Sequence, residues 1–161
     1  MPKPPFPHMM YNDVPLFASF ILSQPPDIWD KWVFDLHLGQ GHLDGLTSDP
    51  AALALSLETS SLRVDAVGYS ASFPTVFEVK PHARLSAYGQ IKAYQTFYEN
   101  EYFTRPNAGI ITDRTNPNIQ WLCAREGIQL HIVKPVNDEG IVRACYIVKA
   151  NCDQLIRIPG P

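Results

Sequence analysis

The stretch RVDAVGYSASFPTVFEVKP (63–81) decides the predicted fold, because it reads as two alternating strands around a short turn. The first strand is predicted over 61–70, the turn lies at ASFP, and the second strand covers 75–81. Two such runs joined by a short turn favour an antiparallel hairpin. The second strand is apolar except for an acid and a lysine, Glu78 and Lys80, and it stops at a proline.

Alternation along this hairpin brings charged side chains onto one face. Residues two apart in a strand share a face, so Glu78 and Lys80 point the same way. Phe77 and Val79 point the opposite way, into a layer of core. On the preceding strand, Asp65 can lie beside Glu78 if the two strands pair. The pattern therefore predicts two carboxylates and one ammonium group close together.

Two carboxylates this close repel each other unless a cation lies between them. A hard divalent ion such as Mg²⁺ binds one or two carboxylates, several waters and a substrate phosphate oxygen. Such an ion polarises a phosphoryl oxygen and lowers the pKa of water, while a lysine orients the nucleophile or stabilises developing charge. This favours a site that hydrolyses phosphodiesters. The alternative is a solvated strand face with an ion pair worth under about 1 kcal/mol.

A long helix is predicted over 83–103, directly after the hairpin. Gln90 falls on its core-facing arc, and a buried amide needs a hydrogen-bonding partner. A nearby carboxylate and metal site would supply that partner, and a bond to the backbone is the open alternative. At about 100° per residue, the arc consists of Ala83, Ala87, Gln90, Tyr94 and Phe97.

The segments RVDAV, VFEVKP and GQIKAYQTFY together resemble the PD-(D/E)xK nuclease superfamily. Its pattern is an acid at the end of one strand, an acid-x-lysine on the next, and a following helix that often carries a glutamine. The chain is most similar to the RecB-type branch, which has a glutamine and a tyrosine four residues later, here Gln90 and Tyr94. The resemblance covers roughly residues 61–135, and Val64 replaces the proline of the name-giving motif.

This resemblance implies an α/β fold of the restriction-endonuclease-like type, a mixed sheet flanked by helices on both faces. It also implies dependence on Mg²⁺ or Mn²⁺ and a nucleic acid substrate, most plausibly DNA. Carried over by position, Asp65 and Glu78 would bind the metal, with Val79 between the acid and the lysine as a further ligand. Lys80 would act on the attacking water. Gln90 would support the site or contact the nucleic acid.

Three further residues are candidates for binding the substrate. His82 follows the second strand closely enough to approach a phosphate, and Arg84 is the next cation along the chain. Tyr94 belongs to an aromatic-rich stretch that could stack on bases, although packing of the long helix is the favoured explanation. The cations that form either a local basic rim or a dispersed solvated face are Arg84, Lys92, Arg105 and Arg114.

An acid on a helix before the core is often part of such a site. Glu58 is the nearest candidate in the chain, and Asp35 is a poorer one. The loop HLGQGHLDG carries His37 and His42, but it lacks the lysine and hydroxyl of a phosphate-binding loop, and its spacing fits no standard zinc pattern. It is interpreted as a flexible loop near the site.

The other predicted elements complete an α/β pattern. A strand–helix–strand–helix–strand order from 75 to 133 favours a mixed sheet with helices on both sides. Gly127 is a plausible helix C-cap. The remaining helices are predicted at 13–23, 48–57 and 116–128, and the remaining strands at 27–38, 107–114, 129–135 and 140–150.

The overall composition restricts the class of protein. With 45% hydrophobic and 18% charged residues, the chain is typical of soluble globular proteins. Its net charge of -3 lacks the basic surplus of most nucleic-acid binders, so such a function requires a local basic patch and metal ions. Its three cysteines include no C-x-x-C pair, which predicts reduced, buried thiols in a cytoplasmic protein. No apolar run approaches the roughly 18 residues that span a bilayer.

Fifteen prolines suggest extended chain ends. We expect an extended Pro-rich arm over 1–12, one nuclease-like domain over 13–155 and a Pro-rich tail over 156–161. An ordered arm is usually held by a neighbouring subunit, which would make the protein a homo-oligomer or part of a larger assembly. The alternative function is therefore a structural protein on a nuclease-like fold, such as a phage head or neck component, with the site retained or lost.

Overall fold

Five strands form one mixed sheet in the computed structural model, which describes residues 3–38 and 62–160. The first three strands pair with one another in antiparallel fashion, and the last two extend the sheet as parallel strands beside the third. In spatial order, which is also chain order, the strands are β1 (Lys31–Leu38), β2 (Leu62–Ser70), β3 (Phe73–Val79), β4 (Asn107–Thr112) and β5 (Gln129–Ile132).

Helices cover both faces of this sheet. The described helices are α1 (Val14–Ser23), α2 (Leu85–Tyr102), α3 (Pro117–Glu126) and α4 (Asp138–Lys149). One core lies between the sheet and the pair α1 and α4, and a second core lies under α2 and α3. The predicted fold class, an α/β restriction-endonuclease-like sheet with helices on both faces, is confirmed. The helix predicted over 48–57 and the loop residue His42 lie outside the described residues.

The β2–β3 hairpin has the predicted antiparallel pairing. Ala66 lies opposite Phe77 and Val67 opposite Val76, so alternate residues enter the two cores. The turn consists of residues 71 and 72, whose φ angles are 49° and 67°. Positive φ at both central residues matches a type I′ turn, whose twist suits a two-residue hairpin. Phe77 and Val79 pack in the core beside α1, as the alternation predicts.

The strand predicted over 140–150 is wrong, because this segment belongs to helix α4. Its β-branched residues favour a strand, but local capping and burial override that preference. The Asn137 side chain accepts the N–H of Gly140 at 3.0 Å and so caps the helix, and Lys149 in the last turn complements the helix dipole. The buried positions follow a helical period: Gly140, Ala144, Cys145 and Val148.

The N-terminal arm packs against its own domain. Phe6 is fully buried, with its ring stacked 5.3 Å from that of Phe34. The main-chain oxygen of Pro5 accepts the N–H of Arg157 at 2.9 Å, which joins the arm to the C-terminal tail. The Gln154 side chain accepts the N–H of Phe34 at 2.6 Å and donates to its carbonyl at 2.8 Å. The arm therefore packs on β1, and the tail is held by the arm and by Gln154 just before it.

The three thiols are free, as the cysteine spacing predicts. Cys123 and Cys145 are buried in separate cores, whereas Cys152 is only half-buried. Helices of the described ranges include none that is both long and apolar enough to cross a bilayer.

Candidate active site

The two predicted carboxylates meet where β2 and β3 separate. The last paired residues are Ala66 and Phe77, and the next step would place Asp65 opposite Glu78. Instead, the Asp65 carboxylate accepts the main-chain N–H of Val79 at 2.8 Å. The two acids also share a side-chain hydrogen bond. The expected placement of Asp65 beside Glu78 is thus found in the structure.

Burial raises the pKa of both acids. Glu78 is only 4% exposed. Loss of hydration is the main cause of its raised pKa, and repulsion from the Asp65 carboxylate adds to it. The pKa of Asp65 is also raised by burial, although the Val79 N–H, the bond from Glu78 and the charge of Lys80 partly offset that effect. Without a cation, the pair therefore retains one proton. This proton stays on Glu78, whose carboxyl group donates a hydrogen bond to the Asp65 carboxylate.

The two oxygens of Glu78 are unequally satisfied. The Tyr94 hydroxyl hydrogen bonds to the Glu78 carboxylate, and Tyr94 is itself 2% exposed. Burial and the nearby carboxylates raise the pKa of Tyr94, so its hydroxyl remains a donor. The other oxygen, Oε2, is buried and has no hydrogen-bonding partner among the described residues. A buried carboxylate oxygen in that state is unfavourable unless a further group binds it.

Lys80 lies at the edge of this acid pair. It follows the last residue of β3, its side chain is exposed, and its main-chain N–H donates to Ile111 of the neighbouring parallel strand at 2.9 Å. Its charge lowers the pKa of Asp65 and of Asp13. The sequence therefore identified three groups that the structure brings together.

Asp13 is a fourth member that the sequence analysis missed. It stands at the N-cap position of α1, but its side chain makes no capping hydrogen bond. Burial and repulsion from Asp65 raise its pKa to about 6, and Lys80 partly offsets this. Its distance along the chain from the hairpin hid it, and the sequence alone supported only its role as a helix start.

Asp35 and Glu58 were the acids predicted to join the site. Asp35 raises the pKa of Asp65, so its charge reaches the site, but two imidazoles and one guanidinium surround it. Its carboxylate lies 3.4 Å from His37 Nε2, 3.6 Å from His8 Nε2 and 3.8 Å from Arg63 Nη1. Glu58 lies outside the described residues.

The loop after β3 holds the predicted phosphate-binding cations in place. His82 adopts a positive φ of 48°, and its N–H donates to Asp113 Oδ1 at 2.7 Å. Arg84 Nη2 lies 3.1 Å from His82 Nδ1, and the positive charges of Arg84 and Arg114 help to lower the pKa of His82, although desolvation is the first cause. His82, Arg84 and Arg114 therefore gather at the end of β3 and β4, close to Lys80 in the chain.

Thr112→Val is expected to loosen this loop. The buried Thr112 hydroxyl accepts the Ala83 N–H at 3.0 Å and donates to the Arg114 carbonyl at 3.0 Å. Losing both bonds should lower the free energy of unfolding by about 1–3 kcal/mol. Urea unfolding measures this, with Thr104→Val as the same substitution outside the loop. Equal unfolding midpoints for the two variants would contradict the assigned role.

Gln90 is not buried as predicted, and Lys92 and Arg105 do not join the basic rim. Gln90 is exposed, which contradicts its predicted place on the buried arc of α2. The buried amide is Gln95, which donates to the Pro106 carbonyl at 2.8 Å and accepts from Arg105 at 3.1 Å. The helix is therefore rotated from the predicted phase. Lys92 pairs with Glu126 at 3.8 Å and Arg105 with Glu99 at 2.8 Å, so neither joins His82.

Clusters of three or more His, Cys, Asp or Glu side chains placed to hold a metal do not occur within residues 3–38 and 62–160. The acid pair of Asp65 and Glu78 thus offers two protein carboxylates. Val79 has a buried aliphatic side chain, so it could bind a metal only through its main-chain carbonyl.

No protein-family model and no curated protein matches this chain. Similar solved structures include a repair endonuclease from Pyrococcus abyssi, 24% identical over 46% of this chain and 34% of that one, with a TM-score of 0.43. EndoMS in its apo form is 22% identical over 45% and 32%, with a TM-score of 0.41. An EndoMS–dsDNA complex is 16% identical over 84% and 50%, with a TM-score of 0.48. The match spans half or less of each of those chains.

Proposed function

We propose that this protein is a metal-dependent nuclease that hydrolyses phosphodiester bonds, with DNA as its substrate. The observation that carries the proposal is the buried acid pair. Asp65 lies beside Glu78, one oxygen of Glu78 has no partner among the described residues, and Lys80 is exposed at the edge of the pair. A solvated strand face with an ordinary ion pair would not bury Glu78, half-bury Asp65 and raise the pKa of both.

The acid pair fits a hard divalent cation. Mg²⁺ is typically held by one or two carboxylates, with waters and substrate phosphate completing its coordination, so it needs no third acidic side chain. Asp65, Glu78 Oε2 and the main-chain carbonyl of Val79 are the groups that would hold Mg²⁺ or Mn²⁺. When bound there, the ion would supply charge neutralisation and polarise a phosphate oxygen. Asp13 is a further carboxylate within electrostatic reach of Asp65.

Side chains of the protein would supply the other functions of the site, which are activating water, positioning Glu78 and contacting nucleic acid. Lys80 would orient the attacking water or stabilise negative charge that develops on the phosphate. Tyr94 would act as a positioning residue, because its hydroxyl fixes the Glu78 carboxylate and it exposes no surface to a substrate. Gln90 lies one helical turn before Tyr94 and is exposed, so it remains a candidate contact to nucleic acid.

A local basic patch supports DNA as the substrate despite the net charge of -3. Arg84 and Arg114 supply the positive charge of this patch at the end of the strand that precedes Lys80, where a phosphate backbone would approach the acid pair, and His82 between them adds an imidazole whose lowered pKa favours its neutral form. Phosphate contacts of this kind position nucleic acid without reading its sequence. The assembly role loses its main support, because the arm that suggested it packs on Phe34 of its own domain.

Incubation with labelled linear, circular and single-stranded DNA in Mg²⁺, Mn²⁺ or EDTA tests the function. Cleavage is expected only with the divalent ion. Lys80→Gln should lower the rate by about 100-fold, since positioned groups of this kind contribute factors of that order. Lys149→Gln, which removes an exposed lysine from the last turn of α4, is the matched control and should cleave at the wild-type rate.

Three results would overturn the proposal. Cleavage that persists in EDTA, or an undiminished rate in Lys80→Gln, would indicate a contaminating nuclease or a different site. Failure of the folded wild-type protein to cut any of the three substrates would remove the enzymatic function itself. Circular dichroism of each variant separates a lost reaction from a lost fold.

A further inference from the structure

A second charged groove lies between the N-terminal arm and the C-terminal tail. Its volume is about 600 Å³. Lys3 of the arm and Arg157 of the tail contribute exposed cationic side chains, and Asp35 of β1 also lines the groove. The prolines of the arm and Leu155 provide the apolar part of the lining. The mechanism proposed above uses none of these walls.

Hydrogen bonds fix both walls of this groove. The arm is joined to the tail by the bond from the Arg157 N–H to the Pro5 carbonyl, at 2.9 Å. Gln154, two residues before the tail, is joined to β1 by the paired bonds between its side chain and the Phe34 main chain. The side chain of Phe6 is fully buried in the core and so anchors the arm. The groove is thus preformed, and a ligand would not need to order it.

Among the described residues, Asp35 is the one carboxylate that lines the groove. Its side chain is only 12% exposed, and the guanidinium of Arg63 lies 3.8 Å from it. Because it is mostly covered and faces an arginine, it presents little negative charge to a ligand, while Lys3 and Arg157 remain open to solvent. The groove accordingly favours an anionic ligand.

Asp35 also connects the groove to the acid pair. In the β1–β2 register, Phe34 pairs with Ala66 and Leu36 with Val64, so Asp35 and Asp65 occupy facing positions between these two pairs. Asp35 lies on β1 and Asp65 on β2, which are neighbouring strands of the sheet. A strand of nucleic acid bound at Lys80 could therefore continue past Arg63 toward the arm and the tail.

We propose that the groove between arm and tail binds the sugar–phosphate backbone of the DNA beyond the cleaved bond, with Lys3 and Arg157 contacting phosphates. This inference rests on the proposed nuclease function and deepens it. Exposed cations on rigid walls suit phosphate contacts, and the apolar lining suits the faces of sugars and bases. The groove would extend the substrate path well beyond the patch around His82.

The test compares Lys3→Gln/Arg157→Gln with Arg143→Gln/Lys149→Gln, which removes the same two charge types from exposed positions on α4. Fluorescence anisotropy measures binding of a labelled DNA duplex in EDTA at several salt concentrations. Two lost phosphate contacts should weaken binding by at least about tenfold at 0.1 M salt and reduce the log–log salt slope by about 2. The α4 control should retain the wild-type affinity and slope.

The remaining outcomes decide against one or both of the two proposals. Unchanged affinity and slope in the folded groove variant, or an equal loss in the α4 control, would overturn the groove while leaving metal-dependent cleavage intact. Absence of both DNA binding and cleavage in the wild-type protein would overturn the nuclease function and the groove with it. Polyglutamate that binds as tightly as DNA, and depends on the same two cations, would indicate an acidic protein partner and overturn the nucleic-acid assignment.

Discussion

Glu78→Gln is expected to stabilise the metal-free protein at pH 8 while it reduces DNA cleavage by about 10³-fold. The carboxylate is buried beside Asp65, and one of its oxygens has no partner among the described residues. Glutamine can still accept the Tyr94 hydroxyl and donate to Asp65, as protonated Glu78 does. Glutamine is neutral at every pH, so the folded protein no longer has to hold a proton on a buried carboxyl group that would ionise in the unfolded chain at pH 8.

The pH dependence of this effect has a definite sign. The pKa of Glu78 is raised from its ordinary value of 4.5, so the folded protein binds this proton more tightly than the unfolded chain. The stability that the proton provides is fully present below pH 4.5 and is lost as the pH rises toward the raised pKa. The advantage of Glu78→Gln should therefore grow with pH, to roughly 1–3 kcal/mol at pH 8.

Urea unfolding in EDTA at pH 5 and pH 8 measures this difference. Asp27→Asn removes one exposed carboxylate and serves as the control, with the same small effect at both pH values. A Glu78→Gln protein that is less stable than wild type at pH 8 would contradict the buried acid pair. An advantage that shrinks as the pH rises would contradict the assigned direction of the pKa shift.

Mg²⁺ or Mn²⁺ is expected to raise the Tm of the wild-type protein by about 5–10 °C when present at about 100 times its Kd. A cation between Asp65 and Glu78 relieves their repulsion and satisfies the open oxygen. Because both carboxylates must lose their protons to bind it, the increase should be larger at pH 8 than at pH 6. Differential scanning calorimetry at matched ionic strength measures the shift.

Asp65→Asn and Glu78→Gln provide the decisive comparison for the thermal shift. Each variant keeps the size of the side chain and loses one ligand charge, so each should lose most of the increase in Tm. An increase that is equal in both variants and in wild type would place the cation elsewhere. A wild-type Tm that does not respond to any divalent ion would remove the metal from the proposed function.

Local patterns were sufficient to predict the hairpin and the acid pair. Strand geometry sets the alternation around Glu78, and this alternation correctly predicted that Phe77 and Val79 pack in the core beside α1. Three other features also depend mainly on residues close together in the chain. They are the hairpin turn, the parallel strands that follow it, and the helix capped by Gly127. These parts of the fold follow from short-range chemistry that is visible in the sequence.

Tertiary contacts decided the parts that the sequence misplaced. The segment over 140–150 is apolar and β-branched, but packing against α1 selects the helix α4. Hydrogen bonding decides which face of α2 is buried. The Gln95 amide bonds to Arg105 and to the Pro106 carbonyl, so Gln95 is buried and Gln90 faces solvent. Asp13 comes close to the acid pair because α1 packs there in the folded protein. The spacing of residues along the chain does not predict this position.

The bonds between Gln154 and Phe34 also constrain how the chain folds. They join residues 120 positions apart, and the contact of Pro5 with Arg157 spans a still longer separation. Closing loops of this length costs conformational entropy before any contact offsets it. We therefore expect the arm and the tail to dock late, after the sheet has formed, so that the walls of the charged groove are completed on a sheet that already carries the acid pair.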